Sequence, residues 1–188
     1  MLSKVLKGFL TNGGGHMKRT HGILGLGILL ALFLGMMALM RVTAANVKTL
    51  SGGQGIIDLT FGISPERIRS ALSGYGKKAA AFYQWVFLSV DMVYAFAYCT
   101  FYRCTIKSLL ERLGAGDRAS VILPLLPVVG MTADLLENTV MFILLSSSTA
   151  TALCGVFTVL NIIKFVFVYS SLAIVVGGAL CLIKKRLS

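Results

Sequence analysis

Acidic residues are few and come late. Seven stand among 188 positions, and none precedes Asp58. Charges of both signs make up only 13% of the chain, where a soluble domain carries about 25%. With 56% of residues hydrophobic and a mean hydropathy of +0.84, a water-soluble fold of this length could not cover its apolar surface. Histidine is nearly missing: His16 and His21 both lie in the N-terminal arm. That weighs against haem and against a histidine-ligated intramembrane hydrolase. The four cysteines, Cys99, Cys104, Cys154 and Cys181, form no C-x-x-C. Such spacing suits neither zinc nor a redox pair, so they read as small apolar residues in helices. There is no phosphate-binding glycine loop and no clear inverted repeat. No cofactor and no metal is expected, and enzyme activity is not the favoured reading.

What is present is four apolar runs, 23–40, 80–102, 119–145 and 152–183. Each is close to or beyond the ~20 residues that a helix needs to cross a bilayer. The expected fold is all-α: a polytopic membrane protein with four transmembrane helices in one bundle over 22–183. A basic arm (1–21) precedes it and a basic tail (184–188) follows. The arm reads either as a mitochondrial presequence or as a cytoplasmic arm, being basic and free of acids. The first run is longer than a signal-peptide core, and Arg41 interrupts its cleavage-like end, so it reads as a retained anchor. In that run Gly27, Ala31 and Gly35 form a row of small residues on which another helix can pack closely.

Residues 42–79 are the one sizeable segment expected outside the membrane. Within it Ser64-Pro65-Glu66 spells a helix start: Ser64 caps, Pro65 fits the first helical position, and Glu66 suits the positive end of the dipole. Ile63 and Ile68 are spaced for a hydrophobic staple, and Gly74 is placed to end this short surface helix. In the third run Pro124 and Pro127 predict a bend. Ser146 to Thr151 reads as a tight polar turn. The fourth run is long enough that it must tilt, project beyond the bilayer, or break near Gly177-Gly178.

Basic residues set the expected orientation. With four spans, the N-terminal arm, the 103–118 loop and the tail share one side and hold eleven of them, against six on the other side. Both termini are therefore expected to face the cytoplasm, or the matrix in a mitochondrion. The net charge of +11 is thereby accounted for by anchoring at anionic head groups rather than by nucleic acid. The expected location is the cell membrane, with the mitochondrial inner membrane as the alternative. The expected partners are the lipid bilayer and either further copies of the chain or a larger membrane complex.

Four ionisable residues fall inside apolar runs: Asp91, Asp134, Glu137 and Lys164. Counted inward from the run ends Ala80, Leu145 and Ala152, they lie eight to twelve residues deep. At 1.5 Å per residue this is roughly 12–18 Å, one layer near the midplane. Asn138 shares a face with Asp134 and Glu137, and Asn161 lies one turn before Lys164. Gln84, Asp91, Tyr94 and Tyr98 read as one stripe. Each charged residue costs roughly 2.5–3.5 kcal/mol at a helix centre, so isolated placement is untenable and a shared network is expected. Three acids against one base imply that one carboxyl holds a proton or that a cation sits there.

The first reading is a buried polar network that fixes helix register, in a structural or assembly protein or a subunit of a complex. The alternatives are a proton- or cation-coupled path, and an intramembrane enzyme or binder of a lipid-like molecule. The string Asp134-Leu135-Leu136-Glu137-Asn138 resembles the D-x-x-E-N motif in the third helix of a group of small, uncharacterised four-helix membrane proteins, mostly bacterial. Phe61-Gly62-Ile63-Ser64-Pro65-Glu66, Tyr75-Gly76, Tyr83 and Asp91 are similar to that group as well, over roughly residues 56 to 165. Lys77-Lys78-Ala79 stands where the group has a basic residue near Gly76. The resemblance implies four spans and the same acidic positions, and no activity.

Overall fold

The computed structural model describes residues 19–147 and 152–187, with side chains from Leu24 onward. The described residues are mostly helical, with a loop over 51–64 and no strand among them. Helix α1 is Arg19–Leu50 and α2 is Pro65–Gly74. Helix α3 runs Lys77–Leu113, α4 Asp117–Ser146 and α5 Leu153–Leu187. Four of the five, α2 excepted, are long and apolar enough to cross a membrane. The fourth apolar run does not break at Gly177-Gly178. At 35 residues α5 extends about 52 Å, well beyond a ~30 Å hydrocarbon core. The 1–21 arm lies almost wholly outside the described residues, as does most of the Ser146–Thr151 turn.

Helix α1 corrects an expectation. It does not end near Met40 but continues through Val42-Thr43-Ala44-Ala45-Asn46 to Leu50. No proline or glycine interrupts that stretch, so nothing stops the helix before Gly52 and Gly53, both at positive φ. The extra turns bury Thr43 and Val47. The Gly27–Ala31–Gly35 row is also corrected: a side chain at Gly27 or Gly35 would meet nothing within 4 Å. Instead α1 packs on α3 through Phe33, which stacks on Tyr94 and Phe101. A flat aromatic joint takes the place of a close small-residue crossing.

The short helix starts as its sequence dictates. Ser64 is the N-cap, and its Oγ accepts from the Arg67 N–H at 3.4 Å. Backbone hydrogen bonds at this helix start, then the Ser64 side chain, hold the Glu66 carboxyl below its ordinary value. Ile63 and Ile68 are both buried in the same apolar cluster. Its end differs: Gly74 is not a left-handed cap, and the following Tyr75 is extended (φ −77°). A Cβ at Gly74 would stand 2.9 Å from Nε2 of Gln54, an exposed side chain that would have to swing aside.

Two irregular turns re-aim side chains. A π-turn at Tyr83–Phe87 inserts into α3, and a 3₁₀ turn at Leu123–Leu125 occupies the proline region of α4. The π-turn adds a residue to the helical repeat and breaks the expected Gln84–Asp91 stripe. The Gln84 amide donates to the Phe142 carbonyl at 3.1 Å and to the Ser146 hydroxyl. It ties α3 to the end of α4, away from Asp91.

Helices α4 and α5 pair over most of their length, α3 packs on both, and α2 lies on α5. At Gly130 a Cβ would stand 3.3 Å from Val168 Cγ2, so α4 and α5 approach closely there and a larger side chain would have to displace its neighbour. The surface is the reverse of a soluble protein's. Leu24, Leu32, Val93, Phe96, Val159 and Val176 are exposed, while Asp91, Asp134, Glu137 and Lys164 are buried. Apolar outside and charged inside is the arrangement that lipid stabilises.

Candidate functional site

Residues 51–64 between α1 and α2 do not stay outside the bundle. Ile57 and Ile63 are buried against Val47, Ile68 and Phe87, each side chain contributing about 1.5–3 kcal/mol when removed from water. This anchoring turns the intervening loop inward. Asp58 is completely buried, and its Oδ1 accepts from the Tyr83 hydroxyl at 2.7 Å. That hydroxyl in turn accepts from the Ile57 N–H at 3.4 Å. Burial raises the Asp58 carboxyl above its ordinary value of 3.8, with the Lys164 ammonium pulling the other way. Nearby, the Tyr75 hydroxyl donates to the Gly55 carbonyl at 2.5 Å, and burial raises it above the usual tyrosine range.

Lys164 is the centre of the site. Its Nζ stands 2.5 Å from Glu137 Oε2 and 3.4 Å from Asp134 Oδ1. It donates to the Asp58 carbonyl at 3.1 Å and sits 5.2 Å from the centre of the Phe165 ring. The carboxylate pair one turn apart on α4 thus brackets a single ammonium from α5. One carbonyl of the loop and two acids of α4 meet on one side chain.

Asn161, one turn before Lys164, completes the joint. Its amide donates to Glu137 Oε1 at 3.0 Å and to the Asp58 carbonyl at 3.1 Å. Its Oδ1 accepts from the Gly62 N–H at 2.9 Å. Thr158, a further turn along, donates to the Ile63 carbonyl at 2.8 Å. One face of α5 therefore satisfies loop backbone groups that would otherwise be buried without partners. On the other side, the Tyr98 hydroxyl donates to Asp134 Oδ2 at 3.1 Å.

Of the six residues singled out from the sequence, Asp134, Glu137, Asn161 and Lys164 come together directly. Asp91 and Asn138 form a separate edge. Asp91 is 2% exposed and its Oδ2 has no hydrogen-bond partner. Asn138 is fully buried, stands beside Asp91, and makes no hydrogen bond in good geometry at either end of its amide. Lys164 does not reach Asp91 within 4.0 Å. Among the described residues, no three His, Cys, Asp or Glu side chains converge as ligands to one metal would.

No protein-family model, no curated protein and no solved structure matches this chain.

Sequence reasoning missed three members of the site: Asp58, Tyr83 and Tyr98 as a donor to Asp134. Asp58 carried a signal. It is the first acid in the chain and sits within Ile56-Ile57-Asp58-Leu59, an apolar setting unusual for a solvated loop. With it, four buried carboxyls surround one buried ammonium. Four candidate spans, an apolar exterior and this charged interior fit a multi-pass membrane protein.

Proposed function

We propose that this chain is a structural or assembly component of a membrane, locked in one arrangement by its buried polar joint. The observation that carries this is the contact set of Lys164. A single ammonium is shared by Glu137 and Asp134 of α4 and by the Asp58 carbonyl of the loop. Removing it alone would strand two buried carboxylates between two helices and the loop. A site acting on a substrate needs an opening. Among the described residues, two clefts at the loop end, about 310 and 400 Å³, are lined by residues such as Gln54, Thr60 and Arg67, or Arg69, Tyr75 and Lys77. Ile57 and Ile63, which join the network through their backbone, line the first, but none of its buried charged side chains lines either. The D-x-x-E-N string, whose two acids bracket Lys164, is the feature on which the resemblance to the four-helix group rests. The eleven-to-six distribution of basic residues supports both termini on one side, the cytoplasm in the cell membrane or the matrix in the mitochondrial inner membrane.

A second reading has its own observation. Four buried carboxyls exceed one ammonium, and Asp58 Oδ2 and Asp91 Oδ2 lack hydrogen-bond partners. Surplus buried acids hold protons near neutral pH, which is what a proton-coupled protein needs. The doubly neutral variant Lys164→Met/Glu137→Gln separates the two. In the structural reading it accumulates in membranes, runs in the same assembly on native gels as the wild type, and supports cells that depend on the chain. Normal accumulation and assembly with loss of that support would favour the proton reading.

A further inference from the structure

The opposite end of the bundle carries a second site. A cleft of about 490 Å³ opens between α3 and α5, with Arg112, Lys185 and Arg186 on its walls. A smaller hollow of about 170 Å³ shares Arg112, Leu109 and Leu182 with it and adds Leu26 of α1 and Thr105 of α3. Arg112 therefore stands at the junction of a basic recess and an apolar one. A Cβ on Gly178 would approach Leu109 to 3.2 Å, so α3 and α5 are in close contact beside the cleft.

Three features point to a ligand. First, among the described residues no carboxylate lies within ion-pairing distance of Arg112, Lys185 or Arg186. Three cations thus share one recess with no counter-charge from the described residues. Second, Thr105 Oγ1 is buried and has no hydrogen-bond partner. Thr100 and Thr132 instead donate to the carbonyl four residues back, at 2.8 and 2.9 Å. Third, the apolar side chains Leu26 and Leu182 continue from the cations along the bundle, the shape of an amphipathic molecule with a charged head.

We propose that this cleft binds an anionic phospholipid, its phosphate held by Arg112, Lys185 and Arg186 and an acyl chain lying along Leu26 and Leu182. Basic pockets between transmembrane helices on the positive side of a protein recognise anionic head groups, and the guanidinium fork matches two phosphate oxygens at once. Free phosphate would leave the apolar hollow unused. The chain's own first 18 residues carry Lys4, Lys7 and Lys18 and no acid, so their charge cannot neutralise the recess.

Native mass spectrometry of the full chain in neutral detergent, titrated with phosphatidylglycerol, tests this. The wild type should bind one phosphatidylglycerol in preference to phosphatidylcholine. Arg112→Gln should weaken it about fivefold, the effect of ~1 kcal/mol per basic residue at an anionic surface. Arg112→Gln/Lys185→Gln/Arg186→Gln should abolish the preference. Lys77→Gln/Lys78→Gln, at the other end of α3, should leave it unchanged. Equal binding of phosphatidylcholine would overturn the proposal, since the cleft would then be merely apolar. Inorganic phosphate competing at a concentration equal to the lipid's would overturn it as well, as would unaltered lipid preference in the triple variant.

Discussion

Replacing Lys164 with methionine keeps the length of the side chain and removes its charge. The structure says what is left behind. Glu137 Oε2 and Asp134 Oδ1 lose the ammonium at 2.5 and 3.4 Å, and the Asp58 carbonyl loses one of its two side-chain donors. Both acids are at most 2% exposed, so water cannot take over. Breaking a buried pair from one side costs about 3–5 kcal/mol. The loss of a charged donor to the Asp58 carbonyl adds about 1 kcal/mol. Much of this is the penalty of a stranded charge, so neutralising the partner should recover it. The shorter contact identifies Glu137 as the main partner: Lys164→Met/Glu137→Gln should be more stable than Lys164→Met by about 1–3 kcal/mol. Lys164→Met/Asp134→Asn should recover less, because Asp134 keeps the Tyr98 hydroxyl. Unfolding titrations in mixed micelles would measure six chains under one condition: the wild type, Lys164→Met, Glu137→Gln, Asp134→Asn and the two double variants. Additive losses in both double variants would refute the reasoning, because residues that meet cannot be energetically independent.

Three further outcomes follow from single positions. The folded state holds a proton on Asp58 more tightly than the unfolded state does, so stability should fall as pH rises from the ordinary 3.8 through the raised folded value. Asp58→Asn keeps an acceptor for Tyr83 and should flatten that profile in pH-stepped unfolding; an unchanged slope would show that Asp58 does not titrate there. Ser64→Ala removes the cap of α2 at a cost of about 1 kcal/mol, read as faster amide exchange over 65–73 with the bundle intact; uniform speeding of α3–α5 would contradict a local role. Gly130→Val should drive α4 from α5 where a Cβ already meets Val168 at 3.3 Å, costing about 1–3 kcal/mol of overpacking, and near-neutral stability on thermal melting would show the contact is loose.

Helical period and apolar run length made the four spans legible, because lipid forces every spanning segment to satisfy its own backbone within a helix. The cap at Ser64 and the staple of Ile63 and Ile68 were legible for the same local reason. The equal depths of Asp91, Asp134, Glu137 and Lys164 could be counted along single helices. Relations between elements were not local, and the structure alone decided them. A π-turn at Tyr83–Phe87 shifted the phase of α3 and sent Gln84 to α4 instead of toward Asp91. Absence of a helix breaker before Gly52 let α1 run past its apolar stretch, although hydropathy alone ended it at Met40. Which acid meets Lys164 depended on how α4, α5 and α3 face one another, not on a count along any one helix. The inward path of the loop has no period to read. Burial of Ile57 and Ile63 on either side of Asp58 turned it inward, and Asn161 and Thr158 met the backbone groups that came with it. Sequence spacing fixes where a charge lies along its own helix; tertiary packing decides which partner it faces, because that choice depends on how close the helices come and where the loop between them runs.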